Sequence, residues 1–265
     1  MNIYWRELKA HRWGVLFWSL GMVALVGAGM AKYGAYAAAG TSVTDMFAQV
    51  PKAVMVVFGL GGFDLTKASG FYGVLFLYIA VMAAIHASLL GSNLISKEER
   101  DRTSEFLYAK PISRARVLTS KLLAGLTMVL IFNLATSLSS IYFVAYFGKG
   151  ESVNAEIWLL MAGLLFVQLI FFAIGALVAS IVHRPKAAPS VATSVMFLTF
   201  LVYYVVNFDS SLEFLRWFSP FKYFDAVALL ASGQLDLAYV ALSVVIIVLC
   251  VFGTYRFYSA RDLTV

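Results

Sequence analysis

Six stretches of the sequence contain no Asp, Glu, Lys or Arg, and each runs for 18 to 29 residues. A helix that crosses a membrane needs about 20 mainly apolar residues, because lipid offers the backbone no hydrogen-bond partners. With 62% hydrophobic and 13% charged residues, the chain is far more apolar than a typical soluble domain. The sequence therefore predicts an all-α membrane protein with six transmembrane helices, at residues 14–31, 68–96, 122–148, 157–182, 187–208 and 237–255.

Lys and Arg are distributed unequally between the loops on the two sides of such a bundle. With the N-terminus inside, the cytoplasmic segments 1–13, 97–121, 183–186 and 256–265 hold 14 Lys and Arg, whereas the outer segments 32–67, 149–156 and 209–236 hold 6. Because short cytoplasmic loops are enriched in these residues, both termini are predicted to be cytoplasmic. The bias also accounts for the net charge of +6, so no nucleic-acid partner is expected. The first stretch is interpreted as a membrane helix rather than as a cleaved signal peptide.

Residues 1–265 are predicted to form a single transmembrane domain that contains no catalytic machinery. The phosphate-binding pattern G-x-x-x-x-G-K-[ST] is absent, so no cofactor is expected in this chain. The three histidines are scattered, and no spacing of Cys, His and carboxylates indicates a metal site. The chain is therefore predicted not to be an enzyme.

The polar residues inside the predicted spans are candidates for a translocation path. An ion-coupled carrier usually places ionisable residues within its spans, and here only a histidine is available. Each candidate either hydrogen-bonds a neighbouring helix or lines the path of the cargo. They are His86 in the second span, Asn133 in the third and Gln168 in the fourth.

The cytoplasmic segment 97–116 carries the densest run of charge in the chain. Ser96 and Glu99 fit a capping box, which predicts a helix that continues to about residue 109 and stops before Pro111. Ser113 is then expected to cap the next helix. A charged stripe with apolar anchors beside it is typical of a docking surface for a cytosolic protein, although a solvated connector is the alternative. The stripe comprises Glu98, Asp101, Arg102 and Glu105, and the anchors are Phe106, Leu107 and Tyr108.

This segment resembles a pattern found in permeases of the ABC-2 type exporter family between their second and third spans. The pattern consists of Glu, Gly-Thr, Glu, Leu, Pro and Ser-Arg, followed by Lys at the start of the third span. Arg102 stands where Gly is frequent, which departs from the pattern without changing its register. The corresponding residues of this sequence are Glu99, Thr103, Glu105, Leu107, Pro111, Ser113, Arg114 and Lys121.

The resemblance implies that segment 97–116 is a coupling helix seated on a separate cytosolic ABC ATPase. In such an exporter two ATPase copies bind ATP and Mg, and two permease copies, here expected to be a homodimer, form the membrane part in a prokaryotic cell membrane. The fold would be similar to that of type V ABC exporters. The residues that the resemblance assigns to ATPase coupling are Glu98, Glu99, Arg102, Thr103, Glu105, Phe106, Leu107, Pro111 and Arg114.

Two further regions agree with the resemblance. Residues 1–13 have helical spacing of apolar residues among basic ones, which suits either an elbow helix in the inner interface or an ordinary charged terminus. In region 208–236, five charges between residues 208 and 226 forbid a full crossing, and abundant aromatic residues suit the head-group level. We expect outer re-entrant helices there, with a surface anchor as the alternative. The predicted outer gate comprises Trp217, Phe218, Pro220, Phe221 and Tyr223.

The resemblance implies outward transport of a hydrophobic or amphipathic cargo, such as a peptide antibiotic, a drug or a lipid, as in bacitracin-type resistance permeases. Membrane lipids are the other expected partners. One alternative is a membrane anchor or regulatory subunit that docks an ATPase but carries no cargo, and another is an ion-coupled secondary carrier. A lipid-modifying enzyme is not expected, because it would need clustered Asp, His or Ser residues that the sequence lacks.

Pairs of small residues, Gly27 with Ala31 and Gly175 with Ala179, predict close helix contacts.

Overall fold

The computed structural model describes residues 3–39, 50–103, 112–148 and 153–260, and every regular element within these ranges is a helix. Six of the described helices are long and apolar enough to cross a membrane, which confirms the predicted fold class and number of spans. The first to sixth spans are Ile3–Ala31, Ala68–Arg100, Arg114–Phe147, Asn154–Ile181, Ala188–Phe208 and Leu237–Ala260.

Short helices occupy two of the connections between spans, the first to the second and the fifth to the sixth. The helices Tyr33–Ala39 and Lys52–Val57 follow the first span. Between the fifth and sixth spans, a 3-10 helix at Ser210–Phe218 is followed by the helices Pro220–Tyr223 and Ala226–Ser232. Pro220 occupies the first turn of its helix, where proline's missing N–H costs no hydrogen bond. The region between the fifth and sixth spans is therefore divided into short helices, one of which begins at Pro220.

The second and fourth spans form the centre of the bundle, and glycine brings their backbones together. A Cβ atom on Gly91 would lie 2.2 Å from the carbonyl oxygen of Phe172, and one on Gly175 would lie 2.4 Å from that of Ser88. Each glycine thus faces the main chain of the other helix. The close contact predicted at Gly175 is confirmed, and Gly27 of the first span similarly faces the ring of Phe143.

The first span includes the residues that were expected to form an elbow helix. Residues 3–31 are one helix, and neither Gly nor Pro occurs between positions 3 and 13 to interrupt it. The elbow is therefore not a separate element within the described residues. A helix of 29 residues is about 43 Å long at 1.5 Å per residue, which exceeds the roughly 30 Å thickness of a hydrocarbon core. One end of this helix consequently lies outside the apolar layer.

The helix of the second span continues through Arg100, so the capping box predicted at Ser96 is wrong. Ser96 lies inside the helix, where its hydroxyl donates to the carbonyl of Ser92 at 2.8 Å. The cap predicted at Ser113 is confirmed, since its Oγ accepts a hydrogen bond from the backbone N–H of Arg116 at 3.4 Å. The predicted helix up to residue 109 and its stop at Pro111 fall on residues 104–111, which lie outside the described ranges.

Candidate functional site

The second span ends in a Schellman motif within segment 97–116. The N–H of Thr103 donates to the carbonyl of Glu98 at 2.8 Å, and the N–H of Arg102 donates to that of Glu99 at 3.3 Å. The motif places one residue in the left-handed conformation, and this residue is Arg102, with φ of 54°. Glycine is favoured at such a position, since it has no Cβ to clash. The one departure from the family pattern thus falls on a position that requires a left-handed backbone.

Replacing Arg102 with glycine should stabilise the protein. A side chain in the left-handed region costs about 1–2 kcal/mol, part of which is offset by the greater entropy of glycine in the unfolded chain. We therefore expect Arg102→Gly to raise the free energy of unfolding by about 0.5–1 kcal/mol in detergent. Thr103→Gly, next to it and exposed, is the control, which should bring no gain. An equal gain in both variants, or no gain in Arg102→Gly, would contradict the left-handed turn as the cause.

Five charged side chains form an ion-pair network where the first three spans meet. Glu7 of the first span is fully buried, and one of its carboxylate oxygens lies 2.8 Å from Nη2 of Arg6 and the other 3.4 Å from Nζ of Lys97. Lys121 at the start of the third span is also fully buried and pairs with Glu98 of the second. Arg6 connects the ion pairs of Glu7 with the pair formed by Lys121 and Glu98, since its Nη2 also lies 3.2 Å from Oε1 of Glu98. We call these residues the inner network: Arg6, Glu7, Lys97, Glu98 and Lys121.

In the inner network each buried charge lies beside at least one opposite charge. Burying an ion costs several kcal/mol unless partners and hydrogen bonds compensate for the lost water. Here two carboxylates are opposed by three cations, and Nζ of Lys121 also donates to the carbonyl of Leu94 at 2.5 Å. The network therefore joins the end of the second span and the start of the third, which flank segment 97–116, to the N-terminal part of the first span.

The expected charged stripe needs a correction at Glu98. Its side chain is only 8% exposed and is engaged by Lys121 and Arg6, so its carboxylate is not presented to a cytosolic partner. The helical turn that carries Glu98 faces the bundle, whereas the next residues turn outwards. Asp101, Arg102 and Thr103 are exposed. The remaining predicted coupling residues Glu105, Phe106, Leu107 and Pro111 lie outside the described residues.

Sequence reasoning did not identify Glu7 as a site residue. It is the one acidic residue among the first 44, in an N-terminal helix that otherwise carries basic charges, and this isolation was the available signal. Lys121 was noted only through the family resemblance. At the other edge of the segment, Nη1 of Arg114 donates to the carbonyl of Ser259 at 3.3 Å, which connects the start of the third span to the end of the sixth.

The three polar residues of the predicted translocation path do not come together. Asn133 donates to Oε1 of Gln168 at 3.0 Å and to the carbonyl of Met161 at 3.3 Å, so this pair connects the third and fourth spans. His86 instead lies between aromatic rings, with its centroid 4.3 Å from that of Phe132 and 5.4 Å from that of Trp18. For Asn133 and Gln168, the structure shows the helix-to-helix hydrogen bond that was one of the two expectations.

The segment between the fifth and sixth spans reaches deep into the bundle. The ring of Phe221 lies 5.2 Å from those of Phe171 and Phe200, which belong to the middle parts of the fourth and fifth spans. Ser219 donates to the carbonyl of Thr199, also near the middle of the fifth span, at 2.8 Å. Of the predicted gate residues, Pro220, Phe221 and Tyr223 are buried, whereas Trp217 and Phe218 are exposed.

The aromatic residues of this segment are held by the sixth span and by a polar cluster. The ring of Tyr223 stacks on that of Tyr239 at 5.1 Å, and Trp217 lies 5.4 Å from the same ring. Nζ of Lys222 donates to Oδ1 of Asn207 at 2.6 Å and lies 3.4 Å from Oδ2 of Asp225. Asp225 also caps the helix Ala226–Ser232 by accepting from the N–H of Val227. The segment is therefore attached to the bundle at several points.

Comparison with known proteins agrees with this architecture. A family model described as "ABC-2 family transporter protein" matches residues 1–263, which is nearly the whole chain. A search of curated proteins finds no match. The six apolar helices suit a multi-pass membrane component that depends on an ABC ATPase partner for its energy. The chain thus belongs to the ABC-2 family of transporter proteins and is a membrane permease of an ABC transporter.

Proposed function

We propose that the chain is one membrane half of an ATP-driven exporter, and that a separate ATPase docks on cytoplasmic segment 97–116. The inner network is the observation that carries the proposal, because it ties both ends of this segment to the first span. A displacement of the segment by an ATPase would therefore move three helices together. ATP and Mg would be bound by the partner, of which two copies would serve two copies of this chain.

The docking surface would begin at the exposed turn formed by Asp101, Arg102 and Thr103. Glu105, Phe106, Leu107 and Pro111 would continue it, by resemblance to the family pattern. Glu98 would act from behind this surface as a positioning residue, because its carboxylate is held by Lys121. Glu99 and Arg114 would stand at the two ends of the docking segment.

The segment from 208 to 236 would be a re-entrant structure that closes the outer side. Two observations support this proposal: the contacts of Phe221 with the middle of two spans, and the charges that exclude a full crossing. Irregular backbone at such depth is tolerated where protein surrounds it, and Phe221 and Tyr223 are buried. Both termini would be cytoplasmic, in the cell membrane of a prokaryote.

The cargo would be hydrophobic or amphipathic, with a peptide antibiotic, a drug or a lipid as the proposed classes. Large apolar side chains remain exposed on the first, fifth and sixth spans, where lipid, cargo or a second copy can cover them. The fully buried Gln168 bonds to Asn133 within one chain, which supports a structural role for this pair. The path would then run between two copies rather than through one bundle.

Glu105→Lys tests the docking surface. Reversing the charge in the middle of the segment should uncouple ATP hydrolysis from transport, because the opposed surface of the ATPase would meet a like charge. We expect cargo-stimulated ATPase activity to fall at least about tenfold, the effect of 1.4 kcal/mol, in proteoliposomes that contain both subunits. The permease should remain folded and inserted in the membrane.

The matched control for this variant is Glu156→Lys, the same charge reversal at a half-buried position in the first turn of the fourth span, on the opposite side of the predicted topology. It should leave cargo-stimulated ATPase activity unchanged. Full stimulation and transport in Glu105→Lys would refute docking at this segment. Stimulated hydrolysis without any cargo transport by the unaltered protein would instead favour an anchor or regulatory subunit.

A further inference from the structure

A cavity of about 220 Å³ lies between the first and second spans, beside the inner network. Its walls include apolar residues of both helices, among them Val15, Trp18 and Leu90. At about 30 Å³ per water molecule, it has room for roughly seven waters. This is less than the roughly 300–1,000 Å³ typical of sites that enclose a drug-sized molecule. The cavity can therefore hold a polar head group and the beginning of an apolar chain.

Polar groups are concentrated at the end of the cavity that is nearer the inner network. His11, Asn93 and Arg100 line it there. Nη1 of Arg100 donates to Oδ1 of Asn93 at 2.7 Å, and its Nε donates to Oδ1 of Asp101 at 3.1 Å. Nε2 of His11 is buried without a hydrogen-bond partner, with the nearest Glu7 oxygen 3.8 Å away. This end thus presents a guanidinium and an imidazole to an occupant.

A second unsatisfied imidazole lies deeper in the same cavity. His86 is 3% exposed, and its Nδ1 is buried without a hydrogen-bond partner. Buried polar atoms are nearly always hydrogen-bonded, so an orphaned nitrogen beside a cavity indicates an absent polar partner. Asn93 lies seven residues beyond His86 on the same helix, which is about 10 Å at 1.5 Å per residue. The occupant would therefore carry polar groups at two depths.

We propose that this cavity binds the phosphate head group of an anionic phospholipid, with the phosphate at His11 and Arg100 and an ester group near His86. The surrounding charge favours an anion, because the adjacent inner network has three cations for its two carboxylates. The carboxylate of Asp101 contacts Arg100 at Nε. Anionic lipids of the inner leaflet are attracted to basic segments at the membrane surface. The apolar side chains between the two imidazoles would contact the start of an acyl chain. Such a lipid would lie beside the second span, which leads into segment 97–116.

Two variants remove the site in different ways. Arg100→Gln combined with His11→Gln removes the anion-binding groups. Gly14→Phe fills the cavity without changing charge, because Gly14 lines it and a Cβ there meets nothing within 4 Å. Arg116→Gln is the matched charge control, since Arg116 is exposed and lies outside the cavity. Gly34→Phe is the matched steric control, since its Cβ is also unobstructed.

The experiment is native mass spectrometry of the full chain, purified in mild detergent with either phosphatidylglycerol or phosphatidylcholine of identical acyl chains. We expect about one phosphatidylglycerol per chain to survive, at least tenfold more than phosphatidylcholine. Both site variants should retain at least tenfold less phosphatidylglycerol than the unaltered protein, and both controls should retain as much as it does. Equal retention of the two lipids, or unchanged retention in Gly14→Phe, would overturn the proposal.

Inorganic phosphate distinguishes a lipid from a small anion. If the occupant is a phospholipid, excess phosphate should neither displace it nor raise the unfolding temperature of the delipidated protein. An unfolding temperature raised by phosphate as much as by phosphatidylglycerol, and lowered again by Gly14→Phe, would show that the site binds a free anion. The lipid assignment would then be wrong.

Discussion

Lys121→Met should be among the most destabilising single substitutions in this protein. The variant keeps the volume of the side chain but leaves Glu98 buried with Arg6 as its remaining partner. Removing one partner of a buried ion pair typically costs about 3–5 kcal/mol, because the other charge stays desolvated. We expect a loss of this size in the free energy of unfolding, measured by denaturant titration in detergent micelles.

A second substitution separates charge imbalance from lost packing. Glu98→Gln combined with Lys121→Met removes both charges of the pair, so the double variant should be less destabilised than the sum of the two single variants. Lys67→Met is the control, since Lys67 is 68% exposed and its ion pair with Asp64 spans 3.9 Å. Such an exposed pair contributes at most about 1 kcal/mol. A loss of that small size in Lys121→Met would show that the inner network does not hold the three spans together.

Gly91→Ala and Gly175→Ala are expected to separate the second and fourth spans. In an ordinary helix, replacing glycine with alanine stabilises by roughly 0.5–1 kcal/mol, because glycine loses more entropy on folding. Here the new methyl group would lie 2.2 or 2.4 Å from a backbone oxygen of the facing helix, which no side-chain rotation can relieve. Overpacking costs about 1–3 kcal/mol where neighbours can adjust, and we expect about 3 kcal/mol or more from each variant.

The sign of the effect makes this prediction easy to test. Gly14→Ala, whose Cβ has open space around it, should be neutral or slightly stabilising. Unfolding in detergent and the yield of monodisperse protein after size-exclusion chromatography would give both results. If Gly91→Ala left the free energy of unfolding unchanged or raised it, as expected for Gly14→Ala, the close approach of the two central helices would be contradicted.

The six spans could be predicted from the sequence because the bilayer imposes a simple rule on length and charge. Spacing of small residues also identified Gly175 as a contact, but not the facing Gly91 or the helix to which it belongs. Which helices become neighbours depends on the whole bundle rather than on local sequence. The capping box at Ser96 was wrong for a related reason, since an uninterrupted helix already satisfied the backbone groups that a cap would have served.

The candidate site was predicted less completely than the fold. Charge spacing and the family pattern located the segment and the unusual position of Arg102, whose positive φ is consistent with the glycine that is frequent there. The same spacing suggested an exposed Glu98, whereas its partners come from residues 6 and 121, far away in sequence. Pairing between distant residues leaves no periodic signal in one sequence, so Glu7 was missed as well.

The position of the inner network along the chain has a consequence for how the protein is made. Its five members all lie within the first 121 of 265 residues, so the network can form before the fourth span has been synthesised. Chains fold from the N-terminus as they are translated, at about 5–20 residues per second. The buried Lys121 and the two buried carboxylates, Glu7 and Glu98, thus enter the nascent bundle already paired within the network. The first three spans would then form a preassembled unit on which the fourth helix docks through glycine.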